Sequence, residues 1–327
     1  FGGRVELELL SSLGLGAMAL GNHELSLDDG ALSALFRGSA AFPVLAANLS
    51  PRADSALFGG LQPSALLQIA GVRVGVMGVA NPGSPPNLPS AANPWRLALA
   101  PNLAAAVQAA VDDLAPRAQL VVVLSHLGLD QDHALISATT GIDVVLGGHQ
   151  HVVTAEPEWQ DDCGAALQDA RGCSPRRVPI VHSGAYGRWL SRLELELAPD
   201  PARADSLELR ALSVTHVPVA ANVPENPRVL HYLDELGLPP EPPLALLPEP
   251  LTRTSALGGD SALGDLTTDA LRMATAADVA IVNSSGLRAD LEAGPLRRSD
   301  LELAFPFDEP WRLVWLSGRD VRRAVLQ

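Results

Sequence analysis

Residues 118–126 read AQLVVVLSH, and this stretch decides the fold because a long apolar run ends abruptly in a serine and a histidine. A near-continuous apolar run rich in valine is typical of a strand that is buried on both faces of a sheet. The stretch IDVVLGGHQH at residues 142–151 repeats the pattern. Helices are predicted at residues 102–114 and 130–138, one before each of these strands. Helices that alternate with buried strands predict an α/β layered domain.

Periodicity and chain-breaking residues extend the prediction over the rest of the chain. Further helices are predicted at residues 5–13, 30–37, 226–236 and 262–274 and at the end of the chain. Further strands are predicted at residues 17–20, 43–49, 179–182, 189–197, 206–214 and 278–282, with a hairpin at 65–80 that turns at 70–71.

The domain organisation follows from length and proline content. A chain of 327 residues favours two domains over one core. The proline-rich residues 218–250 are predicted to be a linker around a short helix. This division leaves a first domain at residues 1–217 and a smaller α/β domain at 251–327.

Composition excludes some classes of partner. The net charge of −14 opposes binding to a nucleic acid polymer. The chain has no lysine, and all 23 basic residues are arginine. No run of eighteen apolar residues occurs, so no membrane span is predicted.

Two cysteines, Cys163 and Cys173, lie in a polar, glycine-containing stretch that is predicted to be a loop. Their spacing fits a local disulfide, which would indicate an oxidising compartment. The alternative is that they are two unrelated free thiols.

Three predicted strands end in polar residues that can bind a metal ion. In α/β sheets, ligands collect beyond the carboxyl ends of the strands. Imidazole nitrogens and amide oxygens suit a divalent cation such as zinc or manganese. These strand ends therefore predict one site of four histidines and an asparagine amide, formed by Asn22, His23, His126, His149 and His151. His182 also ends a strand, and its role near the site is left open. The remaining histidines, His133, His216 and His231, are interpreted as surface residues.

Longer strings resemble a known family. GNHE at residues 21–24, SHLGLDQDHALISATTGIDVVLGGHQH at 125–151 and PIVHSGAYGRWLSRLELEL at 179–197 resemble the calcineurin-like metallophosphoesterases of the 5′-nucleotidase family. Residues 263–321 resemble that family's nucleotide-binding domain, with its Asn-x-x-Gly-x-Arg loop and its Pro-Phe turn. The resemblance covers most of residues 13–197 and 261–326. It implies a layered α/β/β/α domain followed by a smaller, incomplete α/β domain.

The resemblance implies a site with two divalent metal ions, zinc, manganese or similar. Asn22, His126 and His149 match the ligands of one metal ion, and His151 matches a ligand of the other. His23 matches the residue that stabilises the phosphate or protonates the leaving group.

In the family an aspartate orients this histidine, and Ser26 stands at its usual position. Asp28, two residues further on, is the candidate replacement. In the second domain, Asn283 and Arg288 match residues that contact the substrate, and Phe307 matches an aromatic residue that stacks on the nucleobase.

The family's Asp-x-His strand and its metal-bridging aspartate come before GNHE. The twenty residues before Gly21 contain neither aspartate nor histidine. The sequence is therefore interpreted as an internal fragment that lacks both ends of the family's pattern, and the fragment alone is expected to be inactive.

The resemblance implies a metal-dependent phosphoesterase in the periplasm or outside the cell. Its expected substrates are nucleoside 5′-monophosphates or related small nucleotides, including nucleotide sugars and 2′,3′-cyclic nucleotides; the oligomeric state is left open. Two alternatives remain: a non-catalytic nucleotide-binding relative, and a hydrolase of the thiosulfate-oxidation type in the same superfamily.

Overall fold

The fold is described from a computed structural model. It covers residues 3–325 apart from 52, 54, 57–59, 82–96, 202, 204, 221, 238–240, 255–259 and 308–310. The chain divides into two compact units, Phe1–Val229 and Leu230–Gln327. Each unit is described by itself.

The first unit contains most of the strands. They are β1 (Met18–Ala19), β2 (Val44–Leu45), β3 (Leu49–Pro51), β4 (Leu61–Gln62), β5 (Ser64–Ile69), β6 (Val72–Val79), β7 (Leu97–Leu99), β8 (Leu120–Ser125), β9 (Val144–Gly147), β10 (Glu158–Asp161), β11 (Arg177–His182), β12 (Trp189–Pro199) and β13 (Leu207–Pro218). Its helices are α1 (Arg4–Ser12), α2 (Asp29–Ser39), α3 (Leu103–Leu114), α4 (Leu129–Ser137) and α5 (Ala165–Arg171). Helix α6 (Pro227–Glu235) contains the division between the units.

Two sheets form the middle of this unit. One has the strand order β1-β2-β4 and is parallel; the other has the order β10-β11-β9-β8-β6-β5. The sheets approach closely, since a Cβ atom at Gly78 of β6 would lie 2.1 Å from the carbonyl oxygen of Leu45 of β2. Only glycine allows this contact, because any side chain at position 78 would push the sheets apart.

A helical layer covers the outer face of each sheet. Helices α1 and α2 share a buried apolar cluster with the smaller sheet through Leu7, Leu32 and Phe36. Helices α3 and α4 share another cluster with the larger sheet, which includes Val107 and Ile136. These four layers confirm the predicted α/β/β/α architecture.

The register of the larger sheet aligns three strand ends. Ser125 at the end of β8 is the register partner of Gly147 at the end of β9, and Gly147 is the partner of His182 at the end of β11. All three strands are parallel, so their carboxyl ends meet at one edge. Two of them, β8 and β9, are strands whose ends the sequence predicts to converge; the third predicted strand, β1, lies in the smaller sheet.

The opposite edge of the same strands carries a buried ionic network. The carboxylate of Asp143 accepts hydrogen bonds from Val121 N at 2.8 Å and from the Arg176 guanidinium at 3.0 Å. Burial raises the pKa of Asp143, and the nearby guanidinium groups oppose this rise. The network holds the starts of β8 and β9 together.

The predicted disulfide between Cys163 and Cys173 is confirmed. The stretch between the cysteines differs from the predicted loop, because residues 165–171 form helix α5. Short alanine-rich segments can become helical when a cross-link fixes both ends.

The second unit is smaller. It contains β14 (Ala245–Leu247), α7 (Ala262–Thr275), β15 (Gly294–Leu296), α8 (Arg298–Ala304) and α9 (Gly318–Val325). Strands β14 and β15 pair antiparallel, so residues 245–247 of the proline-rich segment belong to a sheet. The small core includes Leu263, Leu287, Leu291 and Ala304.

The strand predicted at residues 278–282 is wrong. These residues have no strand conformation, and Val279 and Ile281 are 51% and 67% exposed. A strand needs a hydrogen-bonded neighbour, and within the described part of the chain none lies beside this segment.

None of the helices in the described ranges combines the length and the apolar character that a membrane span requires.

Candidate active site

The first part of the candidate site is a contact between two residues that are distant in sequence. The Oδ1 atom of Asn22, just after β1, lies 2.9 Å from Nε2 of His126, just after β8. The turn that presents Asn22 is closed by Glu24, whose Oε2 accepts a hydrogen bond from Gly21 N at 2.8 Å. Glu24 therefore holds the turn in the shape that directs Asn22 toward His126.

His149 joins this pair from the end of β9. The rings of His126 and His149 have centroids 5.1 Å apart. Burial, and then repulsion from neighbouring histidines, lowers the pKa of His126 to about 4; those neighbours are His149, His23 and His151. The structure thus brings His126 and His149 into contact, and it places His23 and His151 near enough to His126 for charge repulsion. His126 is neutral at pH 7, and a neutral imidazole has a lone pair available for a metal ion.

The loop after β9 has an unusual backbone. His149 and His151 both have positive φ angles, 78° and 60°, a region that non-glycine residues adopt rarely. Such conformations cost about 1–3 kcal/mol each and concentrate at functional sites. The ring of His151 also makes an edge-to-face contact with Tyr186, with centroids 5.0 Å apart.

Asp28 has a structural contact of its own. Its Oδ1 accepts a hydrogen bond from Ala31 N at 2.8 Å and caps the start of helix α2. His23 is exposed on the turn between Asn22 and Glu24. The pairing of Asp28 with His23 stays a prediction.

The donor set fits a divalent cation in part. Asn22, His126 and His149 bring an amide oxygen and two imidazoles together, and these are suitable neutral ligands. Within the described residues, however, no group of three or more histidine, cysteine, aspartate or glutamate side chains is arranged to hold a metal ion. The described residues thus supply an amide oxygen and imidazole nitrogens, but not a complete set of such ligands.

A buried network that the sequence reading missed lies below the histidines. The hydroxyl of Ser125 donates a short hydrogen bond to Oδ1 of Asp132 on helix α4. Nε2 of His182 lies 2.8 Å from Oδ2 of the same carboxylate, and both side chains are almost completely buried. The signal in the sequence is an aspartate on the face of α4 that also carries the buried Leu135 and Ile136.

A cavity of about 460 Å³ opens beside His149. Its walls combine apolar groups with the side-chain amides of Asn48, Asn81 and Gln131. The site therefore borders a space large enough for a small ligand.

In the second unit, two of the predicted substrate residues meet. The guanidinium carbon of Arg288 lies 5.7 Å from the centroid of the Phe307 ring, and Nη1 of Arg288 donates to Ser285 O at 3.3 Å. Asn283 caps the short helix Ser284–Gly286 by accepting a hydrogen bond from Ser285 N at 3.1 Å. The loop thus places an exposed amide close in the chain to a cation stacked on an aromatic ring.

Comparisons with known proteins agree with these features. The family model described as 5′-nucleotidase, C-terminal domain, matches residues 243–327. A 5′-nucleotidase of Diplobatis ommata is 32% identical over 194 residues, which cover 57% of this chain and 33% of that protein. The crystal structure of a 5′-nucleotidase precursor from Thermus thermophilus is 25% identical with a TM-score of 0.76, covering 93% of this chain and 60% of that one.

A second solved structure shares the fold. The sulfate thiohydrolase of Thermus thermophilus is 20% identical with a TM-score of 0.68, covering 93% of this chain and 52% of that one. The layered sheets and the histidines at their carboxyl edge define a protein of the calcineurin-like phosphoesterase fold. The chain resembles 5′-nucleotidases, and the family model for their C-terminal domain matches its residues 243–327. It spans about a third of the length of the curated relatives it matches first.

Proposed function

We propose that the protein is a phosphoesterase that releases phosphate from small nucleotides with the help of bound divalent cations. The observation that carries this proposal is the convergence of Asn22, His126 and His149 at one edge of the parallel strands. The relatives named 5′-nucleotidase support the same class of reaction.

Each proposed site residue of the first unit has a chemical role. Asn22, His126 and His149 would hold one cation and His151 a second, with zinc or manganese suited to this donor set. When bound, such cations supply Lewis-acid stabilisation of a phosphate and a water molecule of lowered pKa. His23 is exposed next to the ligands, where its imidazole can donate a hydrogen bond or proton to the leaving oxygen, with Asp28 as the proposed orienting group.

The second unit would recognise the nucleotide. Arginine offers a planar fork of donors for phosphate or carboxylate oxygens, and a half-buried aromatic ring can stack on a base. Arg288 and Phe307 are in contact with each other, so one ligand can engage both. Asn283 is proposed as a further contact to the ligand. Nucleoside 5′-monophosphates, nucleotide sugars and 2′,3′-cyclic nucleotides all carry the required groups.

The disulfide favours a location in the periplasm or outside the cell, because such bonds persist in oxidising compartments. A small-molecule substrate also suits the negative net charge of the chain better than a nucleic acid polymer does.

The test is phosphate release by the protein expressed from its complete reading frame. We expect release from AMP or another nucleotide of the panel that stops with a chelator and returns with Mn²⁺ or Zn²⁺. His126→Ala should lower kcat at least 100-fold, whereas His231→Ala, on the exposed face of α6, should leave it unchanged. Arg288→Ala should mainly raise KM. No chelator-sensitive release from any nucleotide would contradict the proposal.

A second candidate is a nucleotide-binding protein without turnover. It is favoured by the fact that the described residues contain no group of three or more acidic, histidine or cysteine side chains suited to a metal ion. Calorimetry distinguishes the two candidates, because this alternative requires nucleotide binding that depends on Arg288 and produces no phosphate. A sulfur-linked substrate is disfavoured, because a stacked Arg288 and Phe307 suit a nucleobase with a phosphate.

A further inference from the structure

We propose that Asp132 is a positioning residue, which fixes the strand ends that carry His126 and His149 and so sets the affinity of the site for a divalent cation. This inference rests on the proposed metal site and adds a buried residue that does not itself touch the ligand.

The first step of the argument is how completely Asp132 is enclosed. It is fully buried on helix α4, and each carboxylate oxygen has a side-chain donor: Ser125 Oγ on one and His182 Nε2 on the other. Because a carboxylate only accepts hydrogen bonds, both partners must turn their protons toward it. A buried carboxylate with two directed donors therefore fixes the positions of both strand ends.

The second step connects this carboxylate to His126. The Ser125 oxygen that donates to Asp132 also accepts a hydrogen bond from Leu127 N at 3.1 Å. His126 N itself donates to Val79 O at 2.8 Å. The peptide groups on both sides of His126 are thus held, and its ring direction depends on the hydroxyl that Asp132 orients.

The third step connects helix α4 to the other strand end. Leu129 N, at the first residue of α4, donates to Oε1 of Gln150 at 2.7 Å, and Gln150 stands between His149 and His151. The ring of His182 lies directly over Gly147, two residues before His149. One helix thereby contacts both loops that present the histidines.

The fourth step concerns His182. Its Nδ1 atom is buried and has no hydrogen-bond partner among the residues that the structure describes, so the ring is held through Nε2 alone. Its backbone is fixed separately, since His182 N donates to Thr154 Oγ1 at 3.0 Å. The His182 side chain therefore acts through one N–H group, which donates to the Asp132 carboxylate. The side-chain amide of a glutamine can donate the same hydrogen bond.

The experiment measures cation binding without substrate, with Mn²⁺ and Zn²⁺ as probes, in calorimetric titrations of the protein from its complete reading frame. Asp132→Asn should weaken binding about 10–100-fold, as is typical when a residue supporting the ligands is lost. His182→Ala should weaken it about tenfold, and His182→Gln should restore it to within about threefold of wild type.

Asp143→Asn is the matched control, because Asp143 is an equally enclosed carboxylate at the opposite end of the same strands. It should lower the melting temperature but leave cation affinity within about threefold. Equal affinity of wild type and folded Asp132→Asn would overturn the inference, and so would an equal loss in Asp143→Asn.

Ser125→Ala serves if Asp132→Asn does not fold, and unchanged affinity in that variant also overturns the inference. A second readout needs no added metal: the His126 ring resonances of the chelator-treated protein should move in Asp132→Asn and stay in place in Asp143→Asn. A wild-type protein that binds cations but releases no phosphate would refute the proposed catalysis and leave this inference standing. A wild type that binds neither cation would overturn both.

Discussion

The Nε2 atom of His182 lies 1.9 Å from the point where a Cβ atom on Gly147 would stand. The two residues are register partners on neighbouring parallel strands, so the imidazole occupies the space that the missing side chain leaves. This packing brings His182 within hydrogen-bond reach of Asp132.

Gly147→Ala should therefore be strongly destabilising. The new methyl group cannot coexist with the His182 ring, which must leave its hydrogen bond to Asp132, and we expect a loss of about 2–4 kcal/mol in the free energy of unfolding. Gly38→Ala is the control, because no atom lies within 4 Å of its Cβ position in helix α2. It should raise stability by up to about 1 kcal/mol. Urea unfolding measures both, and a neutral Gly147→Ala would contradict the packing.

Stability should depend on the protonation of His126. Its pKa is about 4 in the folded protein against 6.5 for the free side chain, so between these values the unfolded chain binds the extra proton. Stability is thus unaffected at pH 7 and falls as the pH drops from 6.5 toward 4. At pH 5 this one group removes about 2 kcal/mol.

The measurement is urea unfolding of chelator-treated protein at pH 7 and pH 5. His126→Gln should lose about 2 kcal/mol less than wild type over this interval. Direct NMR titration of the His126 ring should show a midpoint well below that of a free histidine side chain. A midpoint near 6.5, the value of the free side chain, would show that the His126 ring is not buried in solution as it is in the structure.

The ion pairs of Arg176 should contribute more to the free energy of unfolding than the ion pair of Arg171. Arg176 contacts two buried carboxylates, those of Asp143 and Asp162, and Arg203 also lies 3.6 Å from Asp143. Arg176→Ala leaves these charges with one weaker partner, so we expect a loss of about 3 kcal/mol.

Arg171 makes two hydrogen bonds to Asp112 at the surface and provides the control. Its replacement by alanine should change the unfolding midpoint little, because water solvates both groups. Equal midpoints for the two variants would show that the inner network contributes nothing beyond a surface pair.

Reduction of Cys163–Cys173 should lower stability without unfolding the protein. Opening a loop of this length should reduce the free energy of unfolding by about 2–3 kcal/mol, chiefly through greater freedom of the unfolded chain. Thiol titration of the denatured, unreduced protein should find no free cysteine. The double variant Cys163→Ser/Cys173→Ser should match the reduced protein, and a stability equal to the oxidised protein would contradict the expectation.

The sequence predicted the strand ends well because burial leaves a simple pattern. The valine-rich β8 and the β9 segment have the composition of buried strands, and the histidines after them had to share one edge once the strands were parallel. The hairpin of β5 and β6 could also be predicted from the sequence, since Ala70-Gly71 separates two apolar runs.

Other features depend on partners that a single sequence does not reveal. Residues 278–282 have the composition of a strand but no neighbour to pair with among the described residues. Their β propensity alone therefore led to a wrong strand prediction. Asp132 was missed because an aspartate in a helix is normally solvated, and only the fold brings Ser125 and His182 to it. The backbone angles of His149 and His151 leave no mark in composition.

Those backbone angles restrict which residues the loop after β9 can accept in evolution. Apart from glycine, the residues that tolerate a left-handed conformation best are asparagine, aspartate and histidine. These three types are also ligands for metal ions, with oxygen donors suited to hard cations and imidazole to softer ones. In the proposed metal site, single substitutions at positions 149 and 151 would therefore exchange one metal preference for another, while the loop keeps its shape.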